Sequence, residues 1–290
     1  MLLNSGQVLT ERAKIGPRVQ AIVDTASGAR CDYRQLNDRA NQTANTLLAM
    51  EFSPGERIAC LMPNQSQFIE SFYACAKAGF VFVTLNWRLS VPELSYQLMD
   101  AGAVAVLYAA EQKALVEPLR QQFPNIRWLA ADEGDYTAAV AAASTAEPPI
   151  GAAGTDPLYM MYTSGTTGRP KGAVLPHRKT YWNSRNAERY FELVADDVVV
   201  VPIPLFHSFG LKILSVPTLF VGATAVLVDR FDPIGLQDRI ARERASLLGA
   251  VPVMYERMLS AGLEPAKLET LRFAFSAGAA LGVGTIERYA

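Results

Sequence analysis

Residues 158–172 read LYMMYTSGTTGRPKG. The apolar run from Leu158 to Met161 has the habit of a buried strand, and it gives way at once to hydroxyls, glycines and a basic exit. Gly165 and Gly168 let the backbone turn its N–H groups toward an anion. The hydroxyls of Thr163, Ser164, Thr166 and Thr167 add donors, and Lys171 adds a positive charge. A solvated turn between two strands has no use for this concentration of hydroxyls and glycines with a Pro-Lys-Gly exit. The segment therefore reads as a phosphate-binding loop, with a nucleotide as its ligand. It is not the common P-loop, in which Lys directly follows the last Gly and a metal-binding hydroxyl follows Lys. Here Arg169 and Pro170 intervene and Gly172 follows.

Outward from this loop, helical and strand patterns alternate. Toward the amino terminus, Leu36, Ala40, Ala44, Leu47 and Leu48 recur at helical spacing over residues 33–50. A turn cluster at 53–56 leads to an apolar strand at 57–62, and residues 65–79 return to helix with Gly79 as terminator. Further strands are predicted at 80–85, 104–108 and 126–130, with helices at 91–101 and 111–122. Residues 138–156 are rich in Ala, Ser, Thr, Gly and Pro and read as a linker. Beyond the loop, strands at 198–202, 224–228, 246–251 and 271–275 alternate with helices at 178–192, 209–221, 233–244 and 252–261. Alternation of this kind predicts an α/β protein of mainly parallel sheets covered by helices. The linker predicts a first α/β subdomain over 1–150 and a second over 151–290.

The chain has 290 residues, 50% of them hydrophobic, and a formal net charge of −1. It is long enough for a large core, and its charge balance predicts no binding to nucleic acid or to an anionic membrane. Cys31, Cys60 and Cys75 form an odd trio without metal-ligand spacing, which predicts small buried hydrophobes in a reducing compartment. The first residues lack the basic and apolar regions of a signal peptide, and no apolar run reaches the ~18 residues of a membrane span. The expected location is cytoplasmic.

The spelling TSGTTG-x-PKG resembles the signature loop of the adenylate-forming superfamily: acyl-CoA and aryl-CoA synthetases, luciferases and the adenylation domains of peptide synthetases. Thr166, where peptide synthetases more often have Ser, leans toward the CoA ligases. Other segments match in order. LNWRLSVPEL at 85–94, followed by Asp100-Ala101-Gly102-Ala103, is similar to the family's L-N-P-R-L segment and its acidic-small turn, with Trp87 as the departure. PLFHSFG at 204–210 resembles the aromatic-His segment. Ser276-Ala277-Gly278-Ala279-Ala280-Leu281 resembles the G-G-A-P-L loop beside adenine, with Ala280 in place of Pro.

This resemblance implies two stacked, mainly parallel sheets with shared helices, the amino-terminal part of an acyl-CoA synthetase-like fold whose C-terminal domain is absent. It also implies activation of a carboxylic acid by ATP, with Mg²⁺ as companion and CoA as the thiol that accepts the acyl group. Catalytic roles fall to Lys171, Thr163 and His207. The nucleotide falls to Thr163, Ser164, Gly165, Thr166, Thr167, Gly168 and Lys171, together with Ser276, Ala277, Gly278 and Ala279. The acyl group falls to His207, Phe209, Ile213, Val251 and Tyr255. Within the protein no metal ligand is assigned, because the acid that serves the metal, the ribose-binding Asp and the C-terminal Lys would lie beyond Ala290. A cut at that point would expose apolar surface, so association into homo-oligomers is expected. The alternatives are luciferase-type or peptide-synthetase adenylation, and a non-catalytic module that binds nucleotide or acyl groups. His177 stands apart from these roles and reads as structural.

Overall fold

The computed structural model describes residues 4–163 and 169–289. In chain order its strands are β1 (Gln20–Asp24), β2 (Arg30–Asp32), β3 (Arg57–Leu61), β4 (Val81–Thr84), β5 (Ala103–Tyr108), β6 (Arg127–Ala130), β7 (Pro157–Thr163), β8 (Lys171–Pro176), β9 (Val198–Val201), β10 (Thr224–Leu227), β11 (Leu247–Ala250) and β12 (Phe273–Ser276). The longer helices are α1 (Ser5–Ile15), α2 (Tyr33–Ala49), α3 (Ser66–Ala78), α4 (Val91–Ala101), α5 (Lys113–Gln122), α6 (Gly134–Ala142), α7 (His177–Tyr190), α8 (Val216–Val221), α9 (Pro233–Glu243) and α10 (Pro252–Ala261). The chain divides into two compact units: Met1–Arg18 with Tyr33–Trp182, and Val19–Asp32 with Asn183–Ala290.

The first unit holds a six-stranded sheet of order β6-β5-β3-β4-β7-β8, parallel throughout except for the final β7–β8 pair. β4 is buried along its whole length, so its free edge needs a partner strand to satisfy its backbone groups. β7 supplies one, with Phe82 opposite Tyr159, Val83 opposite Met160 and Thr84 opposite Met161. This pairing corrects the expected boundary at 150. The strand leading into the signature loop completes the first sheet, and the division falls between Trp182 and Asn183.

The helices of this unit follow their apolar spacing. Leu36, Ala40, Ala44 and Leu47 of α2 are fully buried. α3 is buried along nearly its whole length and ends at Gly79, whose φ of 82° suits a residue without Cβ. Phe68 and Phe72 of α3 meet Phe82 edge-on, with ring centroids 5.2 and 5.8 Å apart, and Phe72 meets Tyr159 at 5.9 Å. These are favourable quadrupolar arrangements in a core.

The stretch read as a linker, 138–156, is held down. Its first five residues complete α6, and the next are laid along α2 by a row of side-chain amides. Gln42 Nε2 donates to the carbonyls of Ala141 and Ala143, Asn41 Nδ2 to that of Thr145, and Asn45 Nδ2 to those of Ser144 and Ala146. Glu147 then accepts from Lys77 Nζ at 2.6 Å, Thr10 Oγ1 at 3.0 Å, Asn37 Nδ2 at 2.8 Å and Asn41 Nδ2 at 3.2 Å. Burial depresses the Lys77 ammonium pKa, and Glu147 opposes that shift. Gly151 passes so close to Gly79 that a Cβ on either would strike the other's backbone.

The second unit holds a six-stranded sheet of order β12-β11-β9-β10-β1-β2, again parallel except at its β1–β2 edge. β1 and β2 come from the amino-terminal region, and β1 joins β10 with Ile22 opposite Ala225. One face packs Val200, Val226, Leu248 and Ala250 against Leu236 and Ile240 of α9 and Met258 of α10. The residues just before β9, β11 and β12 form a clasp. Asp197 accepts from Arg272 at 3.0 and 2.6 Å, from Ser246 Oγ at 2.7 Å and from the Val194 N–H at 2.9 Å, while its own carbonyl accepts from Thr224 N at the start of β10. Burial pushes the Asp197 carboxyl up, but these donors outweigh it and hold the group below its ordinary range.

Cys60 and Cys75 are buried free thiols whose pKa burial pushes up, and Cys31 is half-buried. No helix among the described residues is long and apolar enough to cross a membrane.

Removal of the clasp gives the first prediction. The Asp197 side chain is 3% exposed while Arg272 reaches water at 37%. Asp197→Ala is thus expected to cost about 3 kcal/mol, the lower end for breaking a buried pair, read as a lower urea midpoint with unchanged slope. A midpoint equal to wild type would show that the strand starts are held by packing alone.

Candidate functional site

In the first unit the signature segment caps a hairpin. β7 and β8 pair antiparallel from Tyr159 opposite Leu175 up to Thr163 opposite Lys171, which is the last rung before the loop. Both residues at that rung are exposed. Ser164, Gly165, Thr166, Thr167 and Gly168 lie outside the described residues. Gly172 sits opposite Tyr162, and a Cβ there would meet Met160 Sδ at 2.8 Å, so a larger residue would have to displace the Met160 side chain.

α4 stands against this hairpin. Tyr96 donates its hydroxyl to the Pro170 carbonyl at 3.1 Å, and the Arg169 guanidinium lies 5.7 Å over the Tyr96 ring. In the opposite direction the Tyr162 hydroxyl lies 2.8 Å from Asp100 Oδ2 and 3.1 Å from the Gln97 carbonyl. The 85–103 segment and the signature segment, matched separately in the sequence, are thereby brought together. Trp87, the departure in the first of these, packs partly buried against the core and lies under Arg88 at 4.9 Å. Sequence reasoning missed Tyr96 and Asp100 as partners of the hairpin. The only signal for them was an aromatic and an acid spaced one helical turn apart on α4.

In the second unit the other candidate residues gather on one sheet edge. β9, β11 and β12 are adjacent and parallel, with Ala250 opposite Ser276 and Leu248 opposite Val200. Their carboxyl ends lead respectively into the 204–210 segment, Val251 and 277–279. Ligands of open parallel sheets bind at such ends. His207 is exposed, its ring 4.6 Å from that of Phe206, and it precedes a π-helical turn, Phe209–Ser215. π-helical turns recur at functional sites. Gly210 is required here because a Cβ would strike the carbonyl oxygens of Ile203 and Pro204. Phe209 packs on Phe275 at 5.7 Å, and Phe275 stacks on Phe191 at 4.3 Å.

Phe209, Ile213 and Val251 are half-buried, as are Ser276 and Ala277, while Gly278 and Ala279 are exposed. Gly278 has a φ of +90°, a conformation that L side chains rarely adopt. The Ser276 hydroxyl is buried and has no hydrogen-bond partner among the described residues. Tyr255, also in the expected acyl-binding set, lies deeper than the others. It is 3% exposed, and its hydroxyl lies 3.2 Å from the Leu248 carbonyl and 2.9 Å from that of Phe275. Its ring meets Tyr289 edge-on at 5.2 Å. Tyr255 therefore joins two strands inside the core.

His177 is fully buried at the start of α7, with Nδ1 accepting the Ser5 N–H at 3.0 Å. Burial lowers its pKa to about 4, against a small opposing effect of Asp156. The ring is neutral and internal, which fits a structural role. Because the folded pKa lies below the unfolded one, the unfolded chain binds the extra proton between these values. Stability is therefore full above about pH 6.5 and falls as the pH drops toward 4, by about 3 kcal/mol for this group. Urea midpoints at pH 7, 6 and 5 are expected to decline in wild type and to decline less in His177→Gln. Parallel pH profiles would remove His177 as the source.

Comparison with known proteins places these features in a family. Residues 9–290 match the AMP-binding enzyme family. The feruloyl-CoA synthase of an Amycolatopsis species is 36% identical over 280 residues, covering 96% of this chain and 55% of that protein. The long-chain-fatty-acid–CoA ligase FadD13 of Mycobacterium tuberculosis is 33% identical over 293 residues, covering 99% of this chain and 58% of the ligase. The inhibitor-bound N-terminal domain of FACL13 from Mycobacterium tuberculosis superposes with a TM-score of 0.92 at 32% identity, covering 100% of this chain and 73% of that structure. The chain thus spans a little over half the length of the curated relatives it matches. With its mainly parallel α/β sheets and its TSGTTG-x-PKG hairpin, the chain belongs to the AMP-binding enzyme family.

Proposed function

We propose that this chain forms the nucleotide- and acid-binding part of an ATP-dependent carboxylic acid:CoA ligase. The observation that carries this reading is the hairpin whose last rung sets Thr163 opposite Lys171, in a chain whose relatives are named as CoA synthases and ligases. In the first half-reaction a carboxylate oxygen attacks the α-phosphorus of ATP, the bond to the β-phosphate oxygen breaks, and pyrophosphate leaves. In the second, a CoA thiol attacks the acyl carbon, loses its proton, and releases AMP.

Catalysis of the first step is chiefly positioning and charge stabilisation. Lys171 and Thr163 would face the phosphates from the hairpin. In the second unit, Ser276, Ala277, Gly278 and Ala279 would form the wall beside adenine, where small residues permit close approach of a flat base. His207 would orient the acid's carboxylate, with no need to act as a base because a carboxylate is already ionised near neutral pH. Phe209, Ile213 and Val251 would line an apolar slot for the acyl group. Among the described residues no cluster of three or more His, Cys, Asp or Glu side chains could hold a metal ion. Mg²⁺ on this reading arrives on the ATP phosphates, whose charge it would screen.

The relatives' names cover acids as different as feruloyl and long-chain fatty acyl groups, so the test uses a panel containing both kinds. Acid-dependent exchange of pyrophosphate into ATP is measured on the full-length protein. Lys171→Ala is expected to lower exchange by about 10²-fold, the usual cost of one charge-stabilising donor, with the melting temperature unchanged. His207→Ala is expected to raise the KM for the acid while leaving ATP affinity in place. No exchange with any acid, or wild-type exchange in Lys171→Ala, would overturn the assignment.

A further inference from the structure

We propose that Tyr96 of α4 is a positioning residue for ATP, acting through the exit of the signature hairpin; this role rests on the ligase reading above. The β7–β8 ladder ends at the Thr163–Lys171 rung, so Pro170 is the first residue past it. Proline has no N–H to donate, and among the described residues its carbonyl accepts from Tyr96. Tyr96 donates to that carbonyl at 3.1 Å while its ring lies 5.7 Å from the Arg169 guanidinium. Anchoring of the hairpin is thereby carried one residue farther, to the pair that immediately precedes Lys171.

α4 is suited to this work because it is fixed at both ends and along one face. Its start is closed by a capping box in which Ser90 N and Ser90 Oγ reach Glu93 at 2.8 and 2.6 Å. Its end is held by Arg57, which donates to the carbonyls of Ala101 and Gly102, both at 2.9 Å. Leu94, Leu98 and Ala101 are buried in the core. The hairpin returns the contact through Tyr162, whose hydroxyl reaches Asp100 and Gln97. Two tyrosines thus cross between the elements in opposite directions. The Tyr96 ring lies under Arg169, and its hydroxyl is what reaches Pro170. That bond fixes where the peptide before Lys171 points, and with it the direction from which the ammonium meets a phosphate.

The test compares wild type, Tyr96→Phe, Tyr96→Leu and Arg169→Gln in the full-length protein by pyrophosphate exchange and thermal melting. Tyr96→Phe is expected to raise the KM for ATP about fivefold, the effect of one neutral hydrogen bond, with the KM for the acid and the melting temperature unchanged. Tyr96→Leu and Arg169→Gln are expected to raise it further and to a similar extent respectively. An ATP KM in Tyr96→Phe equal to wild type overturns the role. So does a loss shared by every kinetic parameter together with a lowered melting temperature, which would make Tyr96 a purely structural residue. Wild type separates the two levels of the argument. Absence of exchange with every acid overturns the ligase reading and this role with it, whereas exchange in wild type with an unaltered Tyr96→Phe overturns the role of Tyr96 alone.

Discussion

One carboxylate sets the second unit. Asp197 precedes β9, and it gathers Ser246, which precedes β11, and Arg272, which precedes β12, while its carbonyl takes the first N–H of β10. Strands that begin together and run parallel for four residues also end together. The aromatic-His segment, Val251 and the run of small residues after β12 therefore emerge side by side, although about seventy residues of chain separate the first from the last. Polar saturation at one edge and an open edge at the other are two aspects of the same arrangement. Arg272, Ser246 and the Val194 N–H are all engaged at Asp197, whereas the Ser276 hydroxyl at the far edge has no partner among the described residues.

The first unit solves a different problem. On either side of the loop the chain is anchored by the hairpin stem and by α4. A six-residue antiparallel register runs up to the loop, Met160 packs over Gly172, and α4 closes the exit. The family's segment around 85–103 has a physical purpose in this setting, since it builds the helix that stands against the hairpin.

The sequence was most legible where one force dominated. Apolar periodicity located α2, α3, α4, α9 and α10 because burial of one face decides those helices, and the short apolar runs located β3, β5, β9 and β10. It was least legible where pairing decided the outcome. β8, from Lys171 to Pro176, carries almost no buried face, and it is a strand only because β7 offers a ladder. β1 and β2 join a sheet whose other strands begin some 170 residues later, which no local pattern encodes. The boundary at 150 failed for the same reason, since composition marks loops but does not say which sheet the next strand completes. Among the candidate site residues, the motif spelling selected the hairpin and the sheet edge. It could not distinguish Tyr255, which has the size and polarity of a pocket residue, from a core tyrosine that serves two strand carbonyls.

The amide row on α2 has a consequence for how this region tolerates change. Asn41, Gln42 and Asn45 address five carbonyls of residues 141–146, with Asn41 also reaching the Glu147 carboxylate just beyond them. Recognition of that kind is blind to side-chain identity: residues 141–146 are free to drift among small and polar types while remaining docked, and the information that orders them resides a hundred positions earlier, in the helix. A stretch of low complexity can thus be as firmly placed as a strand.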